Sequence, residues 1–390
     1  MSAAITPGAG NEVTLGVMGG GQLGRMFVHA AQRMGYFTAV LDPDPLSPAG
    51  RVSHHHIQTA YTDPQGLRQL AQQCVAITTE FENVPAPALA ELAKTRTVSP
   101  AADSVAIAQD RAREKAHFTA CGVPVAPHAV IRTALDLDAV SNDLLPGILK
   151  TSSLGYDGKG QVRVRTQAEL VAAWADLKSV PCVLEKMLPL QLECSVIVAR
   201  GADGSCVNLP VQRNLHRDGI LAVTEVYEEN LPPALAERAV AAAKSVANGL
   251  QYVGVLCVEF FVLEDGSLVV NEMAPRPHNS GHYTVDACDA SQFDLQVRAL
   301  AGLPLPQPRQ HSAAVMLNLL GDLWFDAAGG SHALPWNAVL ALPGAHLHLY
   351  GKREARRGRK MGHLTMTGAT AADARTRARR AAELLGIEAF

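Results

Sequence analysis

The sequence predicts a multidomain protein that combines α/β and α+β architecture. Its 390 residues suffice for two or three domains of ordinary size. Short apolar strands alternate with helices in the first hundred residues, as in a doubly wound (Rossmann-like) parallel sheet, whereas strands joined by tight turns dominate from Pro146 onwards. We therefore expect an N-terminal domain over residues 1–105, a second domain over 106–304 and a small C-terminal domain over 305–390.

Composition excludes several classes of protein. With 48% apolar and 18% charged residues the chain is an ordinary globular one, and its formal net charge of −3 gives no general attraction to nucleic acid or anionic membranes. No apolar run reaches the ~20 residues of a membrane-spanning helix, and the first residues do not resemble a secretion signal. The seven cysteines form no Cys-x-x-Cys pair. We expect a cytoplasmic protein without a nucleic-acid or membrane partner.

A glycine cluster follows the first predicted strand. Residues 13–18 lead into Gly-Gly-Gly-Gln-Leu-Gly over 19–24, and a helix then continues to Gly35. Glycines at this spacing let a phosphate approach the backbone at a helix N-terminus. Asp42 ends the next strand, where a dinucleotide site would place its ribose-binding acid. The motif alone leaves open an NAD site, a site for another phosphate, or a tight turn that binds neither.

The remaining elements are predicted from apolar periodicity and turn residues. The first unit continues with a strand over 74–79 and a helix over 86–94, and a further helix from about 106 is expected to end at Gly122. A linker over 123–127 leads into strands at 148–150, 162–164, 182–187, 194–199 and 220–227, a helix over 233–248, strands at 255–262 and 268–273, and a last helix that ends near Gly302.

A second glycine-rich segment begins after Lys150. The lysine ends one predicted strand, the polar loop 151–160 follows, and the next strand begins at about 161. Backbone amides of such a loop can surround polyphosphate oxygens while the lysine supplies positive charge. The spacing is not that of a Walker P-loop, which needs Gly-Lys-Ser/Thr at the start of a helix. A solvent-exposed hairpin loop is the alternative.

Two glutamates are predicted to face each other across a hairpin. If residues 265 and 266 form a two-residue turn, Glu264 pairs with Ser267, and Glu259 pairs with Glu272. The Cβ atoms of such a pair lie ~4.5–5.5 Å apart, and like charges so placed need a cation between them. Carboxylate oxygens beside a polyphosphate loop suit Mg²⁺. An exposed pair on a solvated face, or a different register, is the alternative.

Two later segments are rich in groups that bind anions. Residues 276–282 read Arg-Pro-His-Asn-Ser-Gly-His, which suits an oxyanion or a phosphate-bearing substrate. Residues 352–360 contain six lysines and arginines. Each segment could instead be a solvated polar loop.

Six segments in this order resemble the ATP-grasp superfamily, and in particular its carboxylating branch in purine biosynthesis. The resemblance runs from about residue 13 to about 364 and is carried by residues 19–26, 80–84, 109–111, 155–161, 271–282 and 358–363. It implies an ATP-grasp fold with an N-terminal pre-ATP-grasp parallel sheet and a small C-terminal domain. It further implies a homodimeric ATP-dependent ligase that uses bicarbonate to carboxylate the amine of 5-aminoimidazole ribonucleotide, through carboxyphosphate. The implied cofactors are ATP and Mg²⁺, with two ions possible and Mn²⁺ as a substitute.

The resemblance implies roles at the matching positions of this chain. ATP is expected to contact Arg111, Lys150, Gly155, Tyr156, Asp157, Gly158, Lys159, Gly160, Gln161, Glu185, Lys186, Met187, Leu188, Glu193, His216, Asn271 and Glu272. Magnesium is expected at Glu259 and Glu272. The ribonucleotide is expected to contact Gln22, Glu80, Glu82, Tyr156, Asn279, Ser280, Lys352, Arg359 and Lys360. Catalytic roles are expected for Asp157, Lys159, Arg276 and His278.

Two departures from the family pattern and two alternative functions stay open. The family usually shows Arg-Pro-Gly-Arg-Lys in the basic loop, whereas here Arg357 replaces the proline, so which basic residue of 352–360 meets the substrate phosphate is undecided. Ala274 stands where many relatives place an asparagine near the metal. The alternatives are another ATP-grasp ligase, such as a formate-dependent purine transformylase, and an NAD-dependent oxidoreductase based on the first glycine cluster. The 276–282 segment and the basic loop favour the carboxylating branch.

Overall fold

The computed structural model describes residues 4–8, 12–153, 160–326 and 329–390. Five of the predicted site residues lie outside this described part, and they are Gly155, Tyr156, Asp157, Gly158 and Lys159. Within it, the strands form one parallel and two antiparallel sheets. No helix in these ranges is both long and apolar enough to cross a membrane.

The N-terminal sheet is parallel and is covered by helices, as predicted. Its elements are β1 (Thr14–Met18), α1 (Gln22–Arg33), β2 (Phe37–Leu41), β3 (His55–Ile57), α2 (Pro64–Gln73), β4 (Ala76–Thr79), α3 (Ala86–Ala93) and β5 (Thr97–Val98). The strand order is β3-β2-β1-β4-β5. Every residue of β1 is buried, which is the expected pattern for a central strand with helices nearby.

The single helix predicted from about 106 to Gly122 is two helices, so that prediction was wrong. They are α4 (Ala102–Ala108) and α5 (Arg111–Ala120). Asp110 separates them because its carboxylate caps α5 by accepting the N–H groups of Ala112 and Arg113. The break places Arg111 in the first turn of α5.

A small antiparallel sheet and a large one follow. The small sheet has the order β6-β9-β7-β8. Its region comprises β6 (His128–Ile131), α6 (Ala134–Asp138), β7 (Gly147–Thr151), β8 (Gln161–Val164), α7 (Gln167–Asp176) and β9 (Cys182–Lys186). The rest of the chain comprises β10 (Leu190–Arg200), β11 (Cys206–Asn208), β12 (Gln212–Arg217), β13 (Ile220–Val226), α8 (Pro233–Gly249), β14 (Gly254–Leu263), β15 (Leu268–Ala274), α9 (Thr284–Ala287), α10 (Gln292–Ala301), β16 (Ala313–Leu320), α11 (Trp336–Leu340), β17 (Ala345–Leu349), β18 (Lys360–Gly368) and α12 (Ala371–Leu385).

The large sheet continues into the C-terminal region without interruption. Its order is β15-β14-β10-β12-β13-β16-β18-β17, with β11 paired to β10. The link is the antiparallel pair β13–β16, in which Val223 lies opposite Leu317. Apolar side chains of β16 and β18 pack against α12 on one face. The basic loop 352–360, which joins β17 to β18, is therefore fixed to the same sheet that carries the glutamate pair.

The turn of the β14–β15 hairpin differs from the prediction. Leu263, not Glu264, is opposite Ser267, and its N–H donates to the Ser267 carbonyl at 2.9 Å. The turn therefore has three residues, and Gly266 takes a φ of +77° there. A glycine suits this left-handed position. The predicted two-residue turn was wrong.

The predicted partnership of the two glutamates is nevertheless confirmed. Phe260 pairs with Val270, but the next pair toward the sheet interior is Glu259 with Glu272. Asn271 is thus an extra residue in β15, a β-bulge that shifts the register by one. The bulge offsets the longer turn, so the two carboxylates face each other.

Candidate active site

The first glycine cluster is filled by the chain's own carboxylates. Glu80 accepts the N–H groups of Gly21 at 2.8 Å and Gly24 at 3.0 Å, and Asp42 accepts that of Gly20 at 2.7 Å. A Cβ at Gly21 would lie 2.4 Å from a Glu80 oxygen, so glycine is required for this close approach. The Glu80 carboxylate accepts the backbone N–H groups at the N-terminus of α1 that a dinucleotide pyrophosphate would need. The cluster is therefore a tight turn and not a pyrophosphate-binding site.

A cavity of about 810 Å³ opens beside this turn. It is bounded by the carboxyl ends of β1, β2 and β4, by the segment after β15 and by the basic loop, and the carboxyl end of a parallel sheet is the usual place for a ligand. We call it the substrate cavity. The predicted residues that line it are Gln22, Glu80, Glu82, Arg276, His278, Asn279, Lys352, Arg359 and Lys360.

Ser280 is placed differently from the other predicted substrate contacts. It is fully buried, and its hydroxyl lies 2.9 Å from Nδ1 of His278 and 2.8 Å from the hydroxyl of Ser195. Its side chain therefore supports His278 from behind instead of lining the cavity. Burial, together with the charge of Arg276, holds the pKa of His278 well below its ordinary value, so the imidazole is neutral.

Arg276 and Glu82 form an ion pair at one wall of the substrate cavity. The guanidinium Nε lies 2.5 Å from a Glu82 oxygen. Burial alone would raise the pKa of Glu82, but Arg276 outweighs it and lowers that pKa below its ordinary value. Both groups are therefore charged at neutral pH, and Glu82 fixes the direction in which Arg276 points.

A second cavity of about 410 Å³ lies between the small and the large sheet. We call it the nucleotide cavity. It collects every described residue that the resemblance assigned to ATP. These are Arg111, Lys150, Gly160, Gln161, Glu185, Lys186, Met187, Leu188, Glu193, His216, Asn271 and Glu272.

Glu193 and His216 form an ion pair on one wall of the nucleotide cavity. Burial by itself would lower the pKa of His216, but the neighbouring Glu193 carboxylate reverses the effect and raises it. The pair joins β10 to β12, and its oxygen and nitrogen atoms are suited to hydroxyl groups of a bound sugar.

The two cavities meet at the glutamate pair. Six residues line both of them, namely Arg111, Glu259, Glu272, His278, Asn279 and Lys360. Arg111 donates to Glu272 at 3.1 Å, and Nε2 of His278 lies 3.3 Å from Oε1 of Glu259. A group transferred from a ligand in one cavity to a ligand in the other would pass this junction.

The glutamate pair fits a divalent cation. Burial, and then the charge of Glu272, raise the pKa of Glu259 to about 7. Its Oε1 is buried, and the His278 nitrogen 3.3 Å away does not have the geometry of a hydrogen-bond donor to it. The buried side-chain oxygen of Asn271 likewise accepts no hydrogen bond from any described residue. Hard oxygen atoms that lack donors and repel each other are the arrangement that Mg²⁺ relieves.

The basic loop is held in place although it lacks the family's proline. The carboxylate of Asp322 accepts the N–H of Gly358 at 2.7 Å, and the N–H of Gly321 donates to the Arg359 carbonyl at 2.8 Å. Gly358 has a φ of +70°, which a glycine adopts without strain. Lys352 donates to the Lys360 carbonyl at 2.7 Å, which closes the loop at its base.

Comparison with known proteins shows the family of this chain. Residues 13–109 match the ribonucleotide synthetase preATP-grasp domain, 116–293 the ATP-grasp domain, and 314–377 the phosphoribosylaminoimidazole carboxylase C-terminal domain. The N5-carboxyaminoimidazole ribonucleotide synthase of Brucella melitensis is 44% identical over 93% of this chain and 97% of that protein. The synthase of Bacillus subtilis is 39% identical over 93% and 92%. This chain belongs to the N5-carboxyaminoimidazole ribonucleotide synthase family.

Solved structures of family members have the same fold. An ADP complex of N5-carboxyaminoimidazole ribonucleotide synthetase matches with a TM-score of 0.90 at 38% identity, covering 99% of both chains. The Aspergillus clavatus N5-carboxyaminoimidazole synthase, in complex with ADP and 5-aminoimidazole ribonucleotide, matches with a TM-score of 0.88 at 33% identity, covering 96% of this chain and 99% of that one. The predicted ATP-grasp fold, family and ligase class are thereby confirmed.

Sequence reasoning missed one buried residue that contacts the lining of this synthase-family site. Lys115 is buried in α5, and its Nζ lies 3.1 Å from one oxygen of Glu185, while Nζ of Lys150 lies 3.0 Å from the other. Burial would raise the pKa of Glu185, but the two lysines lower it. The signal was present, because Lys115 is four residues after Arg111 and so lies on the same face of a helix.

Proposed function

We propose that this chain uses ATP and bicarbonate to carboxylate the exocyclic amine of 5-aminoimidazole ribonucleotide, forming N5-carboxyaminoimidazole ribonucleotide in purine biosynthesis. The observation that most strongly supports this proposal is that the nucleotide cavity and the substrate cavity both open onto the carboxylates of Glu259 and Glu272. The family neighbour in complex with ADP and 5-aminoimidazole ribonucleotide supports the pairing of these two ligands. Bicarbonate attacks the γ-phosphate, ADP leaves, and the resulting carboxyphosphate supplies the carboxyl group.

The nucleotide cavity offers positive charge for the phosphates of ATP and an apolar wall for its adenine ring. Lys150 lines the nucleotide cavity and can present its positive charge to phosphate oxygens, while Glu185 holds it in place and is itself held by the buried Lys115. Leu188 and Phe261 line the same cavity and offer an apolar surface for the adenine ring. The Glu193–His216 pair receives the ribose hydroxyls.

The junction positions the transferred phosphoryl group. Glu259 and Glu272 would hold magnesium, which when bound offsets negative charge on the phosphate oxygens. Arg111 orients Glu272 through their 3.1 Å hydrogen bond. Arg276, fixed by Glu82, faces the same junction from the substrate cavity and stabilises the developing charge on the carboxyphosphate.

The substrate end binds the ribonucleotide by its phosphate and presents its amine to the junction. Lys352, Arg359 and Lys360 of the basic loop line the substrate cavity and are suited to the phosphate. His278 is a weak base because its pKa is so low, and we assign it the orientation of the substrate rather than removal of the amine proton. That proton passes to the released phosphate or to a nearby carboxylate. Carboxyphosphate hydrolyses readily, so the reaction requires that water be kept from it.

The proposal is tested by following the carboxyl carbon. Isotopically labelled bicarbonate should enter the ribonucleotide only when ATP, Mg²⁺ and 5-aminoimidazole ribonucleotide are all present. Incorporation from labelled formate into another purine ribonucleotide, with none from bicarbonate, would reassign the chain to a different ATP-grasp ligase.

We propose that the protein is a homodimer in the cytoplasm. Its ligands are small-molecule substrates, and we propose no nucleic-acid or membrane partner. The seven free cysteines are consistent with a reducing compartment. Light scattering coupled to size-exclusion chromatography tests the dimer directly, since the monomer mass is 41.3 kDa.

A further inference from the structure

A cluster of metal-binding side chains lies where α9 packs against the C-terminal strands. His348 on β17 is directly opposite His363 on β18, and Asp286 reaches them from α9. Nε2 of His348 lies 2.9 Å from one carboxylate oxygen of Asp286. One ligand atom from each of the three residues lies within 4.8 Å of the other two. None of the three lines the substrate cavity or the nucleotide cavity.

His363 provides an independent observation that points to a ligand. It is fully buried, and its Nδ1 is 2.9 Å from the hydroxyl of Tyr350. Its Nε2 is buried without a hydrogen-bond partner anywhere in the described ranges. An unpaired buried nitrogen is costly, and a histidine held by one nitrogen with the other free is the usual arrangement of a metal ligand.

We propose that Asp286, His348 and His363 form a second metal site, which binds a divalent transition ion of the Zn²⁺ class. Two imidazoles and one carboxylate favour such an ion over Mg²⁺, which prefers oxygen atoms alone. The side chains of His348 and Asp286 are 29% and 11% exposed, so an ion can enter from solvent. Tyr350 orients His363 through the contact between its hydroxyl and Nδ1 of the imidazole.

Binding requires a small convergence of the ligands. The rings of His348 and His363 are nearly parallel, with centroids 4.5 Å apart and an angle of 11° between their planes. Zinc bonds are about 2.0–2.2 Å long, so the three donors must move closer together. Because parallel rings do not direct their nitrogen atoms at one point, the partly exposed His348 ring would have to turn about its last side-chain torsion, which is soft in histidine. His346, 3.7 Å from Asp286, is a fourth donor on the same face of β17.

The bound ion would join two segments that are far apart in sequence. Asp286 follows the hairpin that carries the glutamate pair, whereas His348 and His363 flank the basic loop. The site is thus structural in character and should stabilise the docking of the loop region on α9. Its occupancy can be measured without reference to catalysis.

The experiment is a Zn²⁺ titration by calorimetry, repeated with Co²⁺ and read by its visible absorption. The full chain carrying Glu259→Gln is used because Cys257, Glu259 and His278 form another group that could hold an ion. We expect one equivalent to bind. Adding His348→Gln or Asp286→Asn should weaken binding by at least about 100-fold, and Tyr350→Phe by about 10- to 100-fold.

The matched control is His311→Gln, an exposed histidine outside the cluster, which should leave the affinity unchanged. Thermal unfolding without metal establishes that each variant folds, and added Zn²⁺ should raise the unfolding temperature only where His348 and Asp286 are intact. Absence of binding by the Glu259→Gln chain, or equal affinity after His348→Gln, would overturn the proposal.

Discussion

Glu259 lies directly opposite Glu272 because one extra residue, Asn271, compensates for one extra residue in the hairpin turn. Without the bulge, the three-residue turn would place Asn271 opposite Glu259, and Glu272 would move out of register. The bulge also leaves the side-chain oxygen of Asn271 beside the pair and without a donor among the described residues. The two carboxylates that we propose as magnesium ligands are therefore brought together by a local irregularity of the strand, as is common next to active sites.

The buried pair should cost the metal-free protein stability. The pKa of Glu259 is about 7, well above that of an exposed glutamate, so at pH 8 the folded chain carries an unfavourable charge. Glu259→Gln should stabilise the metal-free protein by about 1–3 kcal/mol at pH 8 while abolishing ADP formation. Urea unfolding at pH 8 without Mg²⁺ measures the free energy of unfolding. Glu264→Gln in the exposed turn is the control. A Glu259→Gln chain that is less stable than the Glu264→Gln chain would contradict the prediction.

Lys115 should contribute to ATP binding by holding Glu185 beside Lys150. Both lysines contact the Glu185 carboxylate, and Lys150 lines the nucleotide cavity whereas Lys115 is buried. Lys115→Met should raise the dissociation constant for ATP by roughly 10- to 100-fold, the effect of losing one charge-assisted hydrogen bond. Calorimetric titration with a non-hydrolysable ATP analogue measures it. The control is Lys94→Met, at an exposed ion pair, which should bind the analogue as tightly as the wild type does. An unchanged affinity in Lys115→Met would show that this lysine does not contribute to ATP binding.

Glu114 should make stability depend on pH. Burial above all, with Glu272 nearby, raises its pKa to about 8, while it accepts the Met273 N–H at 2.7 Å. The folded chain therefore holds a proton that the unfolded chain releases near pH 4.5, so this group's contribution to stability is lost as pH rises toward 8.

Glu114→Gln should flatten that loss, which amounts to about 1.4 kcal/mol per pH unit for a single group. The amide keeps an acceptor for Met273, so Glu114→Gln should retain activity at pH 7, whereas Glu114→Ala should not. The free energy of unfolding, measured at several pH values for each variant, gives the dependence of stability on pH. Glu91→Gln, at an exposed position, is the control. A slope identical in Glu114→Gln and wild type would contradict the prediction.

Lys352 of the basic loop should affect binding of the ribonucleotide and not binding of ATP. Lys352 lines the substrate cavity, whereas its neighbour Arg353 is exposed and does not. Lys352→Met should raise KM for 5-aminoimidazole ribonucleotide by roughly 10- to 100-fold and leave KM for ATP unchanged. Arg353→Met removes the same charge from the same loop and should change neither constant. Equal effects of both substitutions on KM for the ribonucleotide would contradict a specific contact by Lys352 and would indicate that only the net charge of the loop matters.

The sequence predicted those features that depend on local pattern. The parallel N-terminal sheet followed from alternating elements, and the pairing of Glu259 with Glu272 is confirmed, although by two irregularities that cancel. The break before Arg111 was missed because a capping aspartate was taken as helix interior. Lys115 was missed because its partner, Glu185, is distant in sequence, and Ser280 was placed at the cavity wall because nothing local shows which way a buried hydroxyl points.

We expect Glu259 and Glu272 to form the junction where ATP cleavage is coupled to carboxylation of the ribonucleotide. The most direct measurement is ADP release from ATP, Mg²⁺ and bicarbonate, with and without 5-aminoimidazole ribonucleotide, for the wild type and for Glu272→Ala. Release that requires the ribonucleotide and disappears in Glu272→Ala is the predicted result. Release that is indifferent to the ribonucleotide, or that persists in Glu272→Ala, would contradict it.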